Sequence, residues 1–213
     1  MAITSLVLGI LSIICFGLLA GIPAIILGHI AFSRAKKSPL QFAGAGLALA
    51  GFIMGYASIM TTLVLAGLFL PALANAKGKA QSIMCVSNMK QIGLSFRVWA
   101  GDNNDRFPFN VSTTNGGTME LSSHGAVGLE QNPAIHFQVL SNELMTPKVL
   151  VCPLDTSKQP ATSFNNLQSA NVSYQIFSGP GVDESNPEGV LMICPLHGHK
   201  LLCDGHVDMG HKK

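Results

Sequence analysis

Side chains able to do chemistry crowd the C-terminal end of this chain: Cys194-Pro195-Leu196-His197-Gly198-His199, then Cys203-Asp204-Gly205-His206-Val207-Asp208 and His211. Four histidines, two cysteines and two aspartates within 18 residues are imidazole, thiolate and carboxylate donors suited to zinc or another transition metal. His197, His199, His206, Asp204 and Asp208 form the candidate ligand set. Their spacing matches no standard zinc module, and the structural alternative is an Asp204-Gly205 turn between two edge strands. A second oxygen-rich stretch, Asp102-Asn103-Asn104-Asp105, offers Asp102, Asn104 and Asp105 as ligands for calcium, but it lacks the downstream glycine and bidentate glutamate of an EF-hand. A turn that ends a helix accounts for the same residues.

Cys15 lies in an apolar stretch, where it reads as a small apolar side chain. Cys85, Cys152, Cys194 and Cys203 lie in the polar part and form an even set, compatible with two disulfides in an oxidising compartment. Of the three possible connectivities, Cys85–Cys152 with Cys194–Cys203 is favoured: the first ties a helix to the body and the second closes a short terminal loop. Free structural thiols are the alternative. No nucleophile with a matching base stands out, since Ser122-Ser123-His124-Gly125 has no nucleophile-elbow pattern and the glycine-rich stretches lack phosphate-binding spacing. A non-enzymatic protein is expected.

The charge distribution divides the chain. Residues 1–100 hold seven basic side chains and no acidic one, whereas residues 101–213 hold six basic and eleven acidic ones, a balance of −5. The overall +2 therefore belongs to no single surface, and with no basic–aromatic cluster in the polar part, nucleic acid is not an expected partner. Residues 1–33 and 38–76 carry no charged side chain. Gly46–Leu70, at 1.5 Å per residue, makes a helix of about 37 Å, enough for a hydrocarbon core of about 30 Å. Ile3–Ile30 is also long enough, with Gly21-Ile22-Pro23 interrupting it. Two spans, about 3–30 and 46–70, make residues 1–60 a two-pass membrane hairpin.

Arg34, Lys36 and Lys37 between the spans favour a cytoplasmic loop and put both outer ends across the membrane, while Lys77 and Lys79 oppose this. With the cysteines, the expected location is the bacterial inner membrane with a periplasmic or extracellular head. Small residues in Gly17-Leu18-Leu19-Ala20-Gly21 and Gly51-Phe52-Ile53-Met54-Gly55 let helices approach closely, within the hairpin or in self-association. His29 sits near the basic loop, at the expected interface.

After Pro71, where a kink is expected, apolar residues at 83, 86, 89, 92, 96 and 99 follow helical spacing and predict an amphipathic helix with one buried stripe. The run Leu68-Phe69-Leu70-Pro71-Ala72-Leu73-Ala74-Asn75-Ala76-Lys77, then Cys85-Val86-Ser87-Asn88-Met89-Lys90-Gln91-Ile92-Gly93-Leu94, then Trp99 and Asp102-Asn103, resembles the stalk of type II secretion pseudopilins and type IV pilin-like proteins. Leu150-Val151-Cys152-Pro153-Leu154-Asp155, Ser173-Tyr174 and Leu202-Cys203-Asp204-Gly205-His206-Val207 are similar to later landmarks of the same group. Residues 3–60 resemble a separate two-helix membrane domain of unknown function, on Leu8-Gly9-Ile10-Leu11-Ser12, Gly21-Ile22-Pro23-Ala24-Ile25-Ile26-Leu27-Gly28-His29 and Gly46-Leu47-Ala48-Leu49-Ala50-Gly51.

The resemblance implies a stalk helix over 62–103, overlapping the second span, and a polar α+β head over 104–213. It also implies pilin-like or secretion components as partners, besides the lipid bilayer. The chain departs from the pilin pattern in having no acidic residue before Asp102 and a two-span segment where a leader would stand. That puts peptidase processing and ordinary filament assembly in question. The expected fold is thus a membrane α-helical hairpin plus α+β, its second span continuing into a long pilin-like helix packed on a small antiparallel sheet. Strand candidates in the head are Ile135–Leu140, Val149–Cys152, Val172–Phe177, Val190–Cys194 and Lys200–Leu202.

Overall fold

The computed structural model describes residues 18–37, 45–123 and 128–210. Cys15, His211, the loop around residue 124 and the first half of the 3–30 span lie outside the described residues. The chain divides into two units, Met1–Ala76 and Lys77–Lys213.

In the first unit, helix α1 spans Leu18–Lys37 and includes Pro23. Helix α2 begins at Ala45 and runs 57 residues to Gly101, with Pro71 inside it. Among the described residues one helix is long and apolar enough to cross a membrane, Ile53–Gly101 within α2, with a mean hydropathy of 2.0; the other expected span, about 3–30, lies only partly within them. The apolar side chains of the region face outward: Leu63, Val64, Leu68, Phe69, Leu70 and Leu73 are each more than half exposed. In water such a surface would cost far more than a folded protein leaves uncovered. The buried positions among the described residues of this unit, Gly28, Ala31, Gly55 and Ser58, are all small.

In the second unit, the last turns of α2 supply the spine of the core. Cys85, Met89, Ile92, Phe96 and Ala100 are completely buried and Trp99 nearly so, an i, i+3, i+4 series that places one face inward. The predicted stripe holds at Met89, Ile92, Phe96 and Trp99, with Val86 partly buried against the core, but Ile83 is 67% exposed and Cys85 is buried instead. Gly93 lies on the same face, where a Cβ would come 2.8 Å from Leu201 Cδ1, so its lack of a side chain permits the sheet's close approach. Phe96 packs edge-on to Phe107 at 5.5 Å and to Phe137 at 6.1 Å between ring centroids.

The sheet is small and wholly antiparallel, in the order β1 (Gln175–Ile176), β2 (Val190–Ile193), β3 (Lys200–Leu202) and β4 (Val207–Asp208). Ile176 pairs with Met192, Ile193 with Lys200, and Leu201 with Val207, with an irregularity between Val190 and Met192. The α+β head with a small antiparallel sheet therefore stands, and two of the five strand candidates hold nearly whole. Only Gln175–Ile176 of the 172–177 candidate joins the sheet, with Phe177 bridging Leu129.

Ile135–Leu140 is not a strand: Ala134–Val139 is a helix, α3, followed by α4 at Ser141–Leu144. Its buried residues Ala134, Phe137, Leu140 and Leu144 recur at three- and four-residue steps, so a 3.6-residue period wins over the strand reading. Val149–Cys152 is not a strand either. Pro147–Leu150 is a 3-10 turn capped by the Thr146 side chain, and proline at its start removes a ladder donor.

Candidate functional site

Three thiols and an imidazole converge in the head. Cys85 comes from the helical spine, Cys152 from the segment after the Pro147–Leu150 turn, Cys194 from the end of β2, and His197 from the tight loop before β3. Cys152 Sγ lies 3.3 Å from His197 Nδ1 and 3.7 Å from Cys194 Sγ, and Cys194 Sγ lies 3.8 Å from the same Nδ1. All four donor atoms fall within 4.8 Å of one another. The three cysteines are buried and His197 is partly so.

Local sequence explains two of these placements. Cys152-Pro153-Leu154 and Cys194-Pro195-Leu196 each open a tight turn, of different size: Asp155 N–H returns to Cys152 O at 2.9 Å, three residues on, and Gly198 N–H returns to Cys194 O at 2.8 Å, four residues on. Gly198 has φ +75°, a left-handed conformation that costs glycine little. Proline after each cysteine cannot donate, so the next N–H groups are free to turn back toward sulfur. Cys194 has its thiol pKa pulled down, first by the Cys85 thiol that donates to it, then by His197 and Leu196 N–H groups and the His197 ring, which outweigh burial. The Cys85 thiol is pushed up because it is the donor in that contact and is buried, and the Cys152 thiol is pushed up chiefly by burial. Tyr174, itself buried, donates its hydroxyl to Cys85 Sγ at 3.8 Å.

The expected bridges Cys85–Cys152 and Cys194–Cys203 are not formed; all four thiols are free. Cys203 sits apart from the convergent group, with its thiol raised to about 11, first by burial and then by the charges of Asp183 and Asp204. Cys85, Cys152 and Cys194 instead meet one another, because the two Cys-Pro-Leu turns point back at the same turn of the spine.

Of the predicted C-terminal ligand set, only His197 joins a convergent group among the described residues. His199 is buried and already partnered: Nδ1–H donates to Met209 O at 3.1 Å, which leaves Nε2 to accept from the Ser82 hydroxyl at 2.9 Å. Its ring stacks on that of His197, centroids 5.2 Å apart. Asp204 accepts from His206 N–H at 2.7 Å, and Asp208 from Gly210 N–H at 3.0 Å. Both aspartates and His206 are exposed, and Gly205 at φ +85° makes the β3–β4 turn that was the structural alternative. The Asp102, Asn104 and Asp105 stretch forms the turn that ends α2, with Asp105 N–H on Ala100 O at 2.9 Å and Asn104 and Asp105 at φ 59° and 57°.

A second polar cluster went unnoticed in the sequence. Thr118 Oγ1 lies 2.7 Å from His136 Nδ1, and His136 Nε2 lies 3.2 Å from Glu130 Oε2 without hydrogen-bond alignment. Hydroxyl, imidazole and carboxylate in this order suit nucleophilic catalysis when open to substrate. Here Thr118, His136 and Glu130 are 1%, 0% and 5% exposed, so the cluster serves the core. Glu130 also accepts from Ser178 Oγ at 2.8 Å and from Ser123 and Asn132 N–H, both at 3.1 Å. Burial by itself would raise its pKa, but His136 and these donors hold it well below the usual carboxylate range.

Residues 1–65 match a family described as a domain of unknown function (DUF4190). No curated protein and no solved structure matches the chain.

Proposed function

We propose that this chain is a membrane-anchored, pseudopilin-like protein whose extracytoplasmic head acts without catalysis in envelope assembly, secretion or adhesion. The observation that carries the reading is the double character of α2. Its residues near 63–73 expose an apolar surface suited to lipid, and its residues 85–100 form the buried spine of a small α+β head. One helix thus serves as anchor and as core element, which is the stalk arrangement that the pilin resemblance implies. Burial of the Thr118–His136–Glu130 cluster supports a scaffold over an enzyme. Arg34, Lys36 and Lys37 outnumber Lys77 and Lys79, which supports an outward head.

The test starts from Met145, 87% exposed in the head. Met145→Cys in the full chain, expressed in a bacterium, is expected to react with a membrane-impermeant maleimide on intact spheroplasts and to stay in the membrane through alkaline extraction. Labelling only after permeabilisation would overturn the outward head. Deleting the gene in its host is then expected to change the set of secreted or surface proteins. An unchanged set would sink the role in secretion or assembly.

A further inference from the structure

We infer that Cys85, Cys152, Cys194 and His197 bind one zinc ion in a closed tetrahedral site, the cysteines through Sγ and His197 through Nδ1. The inference does not depend on the pilin-like reading. A tetrahedral zinc with bonds of about 2.3 Å to sulfur and 2.0 Å to nitrogen sets its ligand atoms ~3.5–3.8 Å apart. The separations of 3.3, 3.7 and 3.8 Å among Cys152, Cys194 and His197 fall close to that spacing, and with Cys85 all four ligand atoms lie within 4.8 Å of one another, a short contraction from a bound geometry. A disulfide needs sulfurs at about 2.05 Å, and three thiols with one ring cannot all be used that way.

The donor set selects the metal. Soft sulfur with one imidazole favours zinc over calcium or magnesium, which take oxygen. Four protein ligands fill a tetrahedron and leave no position for water or substrate, so the site is structural. Three of the four are fully buried or within 1% of it, and the surroundings support them. Tyr174 donates to the Cys85 sulfur, and the His197 ring is held flat against His199, itself fixed by Ser82 and Met209. Such outer partners orient ligands and are part of a working metal site.

The ligands come from α2, from the middle of the head and from the β2–β3 loop, so a single ion clamps the sheet to the spine across long stretches of chain. Clamps that close long loops restrict the unfolded chain most. Binding displaces the thiol protons to solvent and involves no oxidant.

The test is metal analysis by plasma mass spectrometry on the full chain, purified in detergent without added chelator. About one zinc per chain is expected. Cys152→Ser and His197→Ala should each lose most of it, whereas Cys203→Ser and His206→Ala should keep it. His197→Cys, which preserves a four-ligand site, should also keep it and so separates ligand loss from misfolding. Cobalt exchanged into the wild type should show sulfur-to-metal charge transfer and tetrahedral d–d bands. A chain with native Trp99 fluorescence that holds neither zinc nor cobalt would overturn the assignment. So would a Cys152–Cys194 disulfide recovered by non-reducing peptide mapping, or zinc lost on His206→Ala but kept on Cys152→Ser.

Discussion

Phe96→Ala is the sharpest probe of the helical spine. Phe96 is completely buried and meets Phe107, Phe109 and Phe137 at centroid separations of 5.5, 6.2 and 6.1 Å. Removing the ring withdraws ~100 Å² of apolar surface, worth about 2.5 kcal/mol at about 25 cal/mol per Å². A cavity and lost edge-to-face contacts add to this, giving about 4 kcal/mol in all. At about 2–4 °C per kcal/mol, Tm should fall by ~8–16 °C. Trp99, the chain's single tryptophan, lies on the same face of the helix one turn away and reports unfolding by its fluorescence in detergent. Leu94→Ala is the control: Leu94 is 60% exposed and should move Tm by no more than about 2 °C. If both variants lower Tm equally, or Phe96→Ala changes it by less than the control's bound, the assignment of the buried face is wrong.

Other perturbations separate the remaining contacts. Glu130→Gln should destabilise the head by about 2 kcal/mol at neutral pH, since three donors lose a charged acceptor. Because Glu130 has a depressed pKa when folded, its contribution is whole above the unfolded value of 4.5 and is lost as pH falls through and below it. Urea titrations between neutral and acid pH should therefore show a shallower loss of stability in Glu130→Gln than in wild type. Gly117→Ala would place a Cβ 2.0 Å from Val111 O, a backbone clash, and should cost about 2 kcal/mol or more in the same assay. Arg97 is half exposed, with Glu184 at 3.0 Å and Asp204 O at 3.1 Å. Arg97→Ala should cost under about 1 kcal/mol, and added salt should shrink the difference.

The helix and the site were legible to different degrees. The spine and its buried face were readable because the 3.6-residue period is local, yet the point where burial begins was not. Ile83 fits the apolar pattern but points outward, since only the sheet decides where the helix is covered. The α3 helix was mistaken for a strand because a short apolar run has no decisive period until its neighbours are placed. The four-donor site had a visible trace, the repeated Cys-Pro-Leu of residues 152–154 and 194–196. The denser histidine–aspartate end is the stronger ligand signal in sequence, because three of the four donors that meet lie far apart along the chain.

By itself, the sequence determined that a charge-poor, apolar first third is joined to an acidic, turn-rich head. That division needs no contacts: hydrocarbon length and the absence of charged side chains act residue by residue along one helix. Which sulfurs meet was decided only by tertiary structure. Cys85 and Cys194 are separated by most of the head, and their approach depends on the antiparallel β2–β3 loop folding back onto the spine. Nearness in sequence favoured Cys194 with Cys203, but a strand three residues long carries Cys203 to the far end of its hairpin and leaves His197 at the near one.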